Sequence, residues 1–84
     1  MPTISIFYGI VIMMHPRKKE HNPPHIHAKY GDYNAKFDIT TGKKTDGRFP
    51  KRAEQMVTEF ILLYQLELLN MWENNSFQKL KGLD

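Results

Sequence analysis

The sequence predicts an α+β domain, a small antiparallel sheet from two N-terminal β-hairpins packed against one long C-terminal helix. Three observations carry that prediction. Two runs rich in β-branched and bulky residues, 3–7 and 10–14, flank Tyr8-Gly9. A second pair of alternating segments, 24–30 and 33–39, flanks Gly31-Asp32. From Pro50 onward, apolar residues recur at spacings of three and four.

The first hairpin covers residues 3–14 and ends before Pro16, which has no N–H to give to a ladder. Residues 15–23 are polar, charged and proline-bearing, and read as a loop. The second hairpin covers 24–39. Counting outward from Gly31-Asp32 pairs Tyr30 with Tyr33, Lys29 with Asn34, Ala28 with Ala35, His27 with Lys36, Ile26 with Phe37 and His25 with Asp38. That register sends Ile26, Ala28, Tyr30, Tyr33, Ala35 and Phe37 toward the core. His25, His27, Lys29, Lys36 and Asp38 share the opposite face. A slip of one residue would bury the charges, so the pattern selects its own register.

Residues 40–49 read as a loop, and Pro50 suits the first turn of a helix over 50–73. Its core stripe is Ala53, Met56, Val57, Phe60, Ile61, Tyr64, Leu68 and Met71. Leu62, Leu63, Leu66, Leu69 and Trp72 fall outside the stripe, which predicts a further contact of the helix, with a second copy or a small partner protein. The tail, 74–84, shows no pattern.

The 84 residues suit a single domain, 1–84, with a thin core, and the 40% apolar content is too high for a disordered chain. There is no cysteine, so disulfides and thiolate metal sites are excluded, and any metal must use His, Asp, Glu or carbonyl ligands. The apolar run over 4–14 is too short to span a bilayer and lacks a basic leader, so a cytoplasmic protein with no membrane partner is expected. The net charge of +3, with one basic cluster at Arg17, Lys18 and Lys19 and another at Lys43, Lys44, Arg48, Lys51 and Arg52, is compatible with RNA or an acidic partner. It also suits an ordinary solvated surface.

Candidate chemistry is concentrated in His21-Asn22-Pro23-Pro24-His25-Ile26-His27. His25 and His27 leave the same face of a strand, and His21 precedes them across a stiff Asn-Pro-Pro link. One reading is a metal site of His21, His25 and His27 for zinc or a similar divalent ion, with Asp38 as fourth ligand or orienting group. The second is metal-independent acid and base chemistry on a phosphodiester, as in a small ribonuclease. There His25 is the general base, oriented by Asp38, His27 the general acid, and Lys29 or Lys36 the phosphate contact. A third reading leaves all these side chains as ordinary polar surface. His15, at a strand end, receives no role.

The segments Met1-Pro2-Thr3-Ile4-Ser5, Phe7-Tyr8-Gly9-Ile10-Val11-Ile12, His21-Asn22-Pro23-Pro24-His25-Ile26-His27-Ala28, Tyr30-Gly31-Asp32 and Ala35-Lys36-Phe37-Asp38-Ile39 resemble the bacterial domain-of-unknown-function family 4160 over residues 1–73. The resemblance implies a small bacterial protein, and a member of a toxin and antitoxin type pair or a transcriptional partner. It maps the family's histidine-rich strand onto His21, His25 and His27 and its Ala-Lys-Phe strand onto Ala35, Lys36 and Phe37. The function expected is action on RNA or on a partner protein through the histidine face. The alternative is a non-catalytic metal-binding or protein-interaction module.

Overall fold

The computed structural model describes residues 2–15 and 23–84. Strands β1 (Thr3–Phe7), β2 (Ile10–Met13), β3 (His25–Tyr30), β4 (Tyr33–Asp38) and β5 (Lys44–Gly47) precede helices α1 (Lys51–Leu63) and α2 (Gln65–Asn74). The strands form one antiparallel sheet in chain order. The architecture is α+β, but the sheet has five strands in place of two hairpins and there are two helices in place of one.

Phe7 pairs with Ile10 across Tyr8 and Gly9, both at positive φ (50° and 79°), the backbone of a type I′ turn. In the second hairpin all six pairs, from Tyr30 with Tyr33 to His25 with Asp38, are those the alternation requires. The two hairpins are fused through β2 and β3, where Val11, Ile12 and Met13 face Lys29, Ala28 and His27. Strand β5 corrects the reading of 40–49 as loop. Its Lys-Thr-Asp-Gly sequence has no apolar side chain to announce a strand, and it is held by main-chain pairing to Ala35, Lys36 and Phe37. Charged Lys44 and Asp46 along this edge discourage a further strand.

The helices meet at Tyr64, whose backbone (φ −109°, ψ 25°) leaves the helical region. Hydrogen bonding nonetheless continues across it, from Tyr64 N–H to the Phe60 carbonyl and from Leu68 N–H to the Tyr64 carbonyl, so the junction is a bend. Two polar side chains fasten it to the chain after β4. Gln65 Nε2 donates to the carbonyls of Ile39 (2.9 Å) and Thr40 (2.8 Å), and Thr58 Oγ1 donates to that of Gly42 (2.6 Å). The buried stripe runs on through the bend, from Ala53, Val57, Phe60 and Ile61 on α1 to Leu68, Met71 and Trp72 on α2. Trp72, which the sequence reading places outside the stripe, belongs to it: it follows Ile61 by eleven residues, about 20° away around a 3.6-residue helix, and is 1% exposed.

The core lies between the helices and one face of the sheet, lined by Ile10, Ile12, Met14, Ile26, Ala28, Ala35, Phe37 and Ile39. Phe7 stacks on Phe60 at 5.0 Å. Tyr30 and Tyr33 point to this side yet stand partly in solvent. The tail also belongs to the core: Phe77, Leu80 and Leu83 pack against it, and Leu80 N–H donates to the Ile4 carbonyl on the outer edge of β1. Among the described residues no helix is long and apolar enough to cross a membrane.

Candidate functional site

Burial of Ile10, Ile12 and Met14 turns Val11, Met13 and His15 to the other face of the sheet. The ladder between β2 and β3 sets Met13 opposite His27, so the next outward-facing residue, His15, comes alongside the start of β3. The imidazoles of His15 and His27 meet edge to face, with ring centroids 4.3 Å apart. Those of His27 and His25 lie 5.2 Å apart. Three rings thus form a row with His27 in the middle.

The members of the row differ in access. His15 and His27 are half-buried, whereas His25 is 7% exposed and leans on the indole of Trp72 at 5.0 Å. Nδ1 of His25 lies 2.9 Å from the Pro23 carbonyl. A carbonyl only accepts, so Nδ1 carries the proton in the neutral ring. Asp38 sits opposite His25 in the register, but its Oδ1 accepts the backbone N–H groups of Thr40 (2.7 Å) and Thr41 (3.2 Å). That is an Asx turn closing β4. The group that orients His25 at Nδ1 is therefore the Pro23 carbonyl, and Asp38 shapes the turn beyond it.

Lys36 pairs with His27 across β3 and β4, and Lys29 lies two residues beyond His27 on the same face. Met13, His27, Asn34, Lys36, Asp46 and Gly47 border a shallow depression of about 240 Å³. The open face therefore brings together His25, His27, Lys29 and Lys36. It adds His15, which the sequence reading left without a role. The alternation through 10–15 is the signal that could have found it, once β2 is known to pair with β3.

His21 lies outside the described residues, so the His21, His25 and His27 metal set is not placed. Among the described residues no three His, Asp or Glu side chains stand together in a way that could hold a metal ion.

Searches among curated proteins and among solved structures returned no match. A family model does match, over residues 9–73, from the β1–β2 turn to the second helix, and so takes in every ring of the imidazole row. The chain belongs to the family described as Domain of unknown function (DUF4160).

Proposed function

We propose that the chain is a small bacterial component of a toxin and antitoxin type pair that cleaves RNA on the open face of its sheet without a metal ion. The observation carrying this reading is the row of His15, His27 and His25 beside Lys29 and Lys36. In the step proposed, one imidazole takes the proton of a ribose 2′-hydroxyl as that oxygen attacks the adjacent phosphorus. A protonated imidazole gives its proton to the departing 5′ oxygen. The products are a 2′,3′-cyclic phosphate and a free 5′-hydroxyl, and no other reactant is consumed.

The two accessible rings, His27 and His15, exchange these protons. His25, buried and committed at Nδ1, is the positioning residue behind His27. Lys29 and Lys36 offset the charge that grows on the phosphate. The test is incubation of single-stranded RNA with the protein in excess chelator, followed by analysis of the product ends. Cyclic phosphate ends are expected, and loss of one acid or base group lowers such rates by about 10²-fold or more. His27→Ala should therefore cut the rate by at least about a hundredfold while the circular dichroism spectrum stays unchanged. Intact RNA after incubation with wild-type protein would sink the catalytic reading.

A second reading, docking onto another protein chain, is favoured by the surface at the helix bend. Leu62, Leu63 and Leu66 are 54%, 62% and 80% exposed, and they are neighbours on the helix surface. If this patch joins two copies, light scattering should give twice the chain mass for the wild type and the single-chain mass for Leu66→Lys. Wild-type protein at the single-chain mass excludes the homodimer.

A further inference from the structure

A cavity of about 630 Å³ lies at the other end of β3 from the histidines and on the helix side of the sheet. We propose that it binds a purine nucleotide, with guanine as the base. Its volume is that of an ordinary small-ligand pocket. Two phenol rings from adjacent turns stand in its wall: Tyr8 between β1 and β2, and Tyr30 at the end of β3. They are 57% and 38% exposed, which leaves ring surface for a flat partner. Met56 and Leu83 add apolar lining.

The polar lining has two opposite charges at a set spacing. Arg52 and Glu59 both border the cavity, and seven residues on α1 separate them by about 10.5 Å along the axis at 1.5 Å per residue. Neither forms an ion pair with a described residue. That span is comparable to the distance from the pairing edge of a base to its own phosphate. A guanidinium takes a phosphate through paired N–H bonds. A carboxylate accepts the ring N–H and the exocyclic amino group of guanine together, whereas adenine offers only its amino group on that edge. Stacking on tyrosine supplies the rest.

The backbone at Tyr8 supports the same conclusion. At φ 50° the residue occupies the left-handed region, at a turn position where Asn, Asp or Gly fits without strain. A bulky aromatic residue held there is strain located at the wall of the cavity. Gly9 is shaped by the second ring, since a Cβ on it would stand 3.3 Å from Tyr30 Cε1. Both turn residues are thus fitted to a pair of tyrosines, where hairpin stability alone would call for Asn-Gly.

The same chemistry could arrive as a free nucleotide or as an unpaired guanosine within an RNA strand. Calorimetric titration with guanosine monophosphate, and separately with a short single-stranded RNA containing guanosine, distinguishes them. Binding of the mononucleotide assigns the site to free nucleotides, and binding of the RNA alone assigns it to a strand. In either case Tyr8→Asn should weaken binding by about tenfold or more while raising the melting temperature, because it removes a stacking ring and relieves the turn. Arg52→Gln should weaken the nucleotide but not the nucleoside, and Glu59→Gln should abolish the preference over adenosine monophosphate. Absence of binding by both probes, or unchanged affinity in Tyr8→Asn, overturns the proposal. No residue of this cavity belongs to the imidazole row, so an inactive histidine face would leave the proposal standing.

Discussion

Replacing Trp72 by alanine is expected to bring the domain close to unfolding and to release the imidazole row with it. The indole is 1% exposed, belongs to the same buried cluster as Leu68 and Met71, and packs against the ring of His25. Truncating a buried tryptophan costs about 3–5 kcal/mol. A domain of 84 residues has about 4–13 kcal/mol in all, at roughly 0.05–0.15 kcal/mol per residue. With about 4–8 °C of melting temperature per kcal/mol in a domain this small, the midpoint should fall by more than about 12 °C. Trp72 is the sole tryptophan, so the transition is followed by circular dichroism. Trp72→Phe is the discriminating control. The indole Nε1 is buried without an acceptor among the described residues, so phenylalanine removes an unsatisfied donor along with some volume. It should lose less than half as much stability as alanine and keep a ring against His25. Equal losses in both variants would show that indole volume alone matters and that the aromatic contact to His25 contributes little.

The helix that carries Trp72 holds both a legible and an illegible feature. Trp72 follows Leu68 by four residues and Ile61 by eleven, so a straight helix already sets it on the buried face, and leaving it outside the stripe misjudges that spacing. The bend at Tyr64, fastened by Gln65 to the carbonyls of Ile39 and Thr40, is the feature of this helix that the sequence does not announce. A lone glutamine in an apolar helix gives no sign that its partners lie in a turn 25 residues earlier. The second hairpin was legible for the opposite reason. Its register follows from strict alternation around Gly31-Asp32, a local pattern that one slipped residue would ruin. The pairing of β2 with β3 depends on a connection of polar residues that carries no register signal, so the approach of His15 to His27 became visible only in three dimensions. Strand β5 left no trace in side-chain pattern because its stabilisation is main-chain pairing along an edge. The register positions of His25, His27, Lys29 and Lys36 are legible in the sequence, whereas the burial of His25 against Trp72 is not. The task of Asp38 is not legible in the sequence, because the N–H groups that donate to it lie on the backbone two and three residues ahead.

That invisible strand is where the second large effect is expected. Gly47 closes β5 with φ 88°, and its Cα rests on the backbone of β4. A Cβ placed there would lie 2.3 Å from the Asn34 carbonyl oxygen and 2.8 Å from the Ala35 Cα. Neither atom belongs to a side chain that can rotate away, so Gly47→Ala must push β5 off the sheet. The displacement reaches further than the strand. Arg48 N–H is bonded to the Asn34 carbonyl, and Phe49, packed against Phe37 at 5.8 Å, leads into α1. A loss of more than about 3 kcal/mol is expected, combining left-handed strain with lost pairing and a loosened Phe49. With a urea slope of about 2 kcal/mol per molar, the unfolding midpoint should drop by more than about 1.5 M. Gly31→Ala isolates the strain alone. Its φ is 58° and nothing stands within 4 Å of the added carbon, so it should cost only about 1–2 kcal/mol. Because Asp46 and Gly47 wall the depression beside His27 and Lys36, Gly47→Ala should also alter any RNA contact made there, while Gly31→Ala should not. If the two glycine variants lose equal stability, the close seating of β5 on β4 is not what holds that wall. The open face would then owe its shape to β2, β3 and β4 alone.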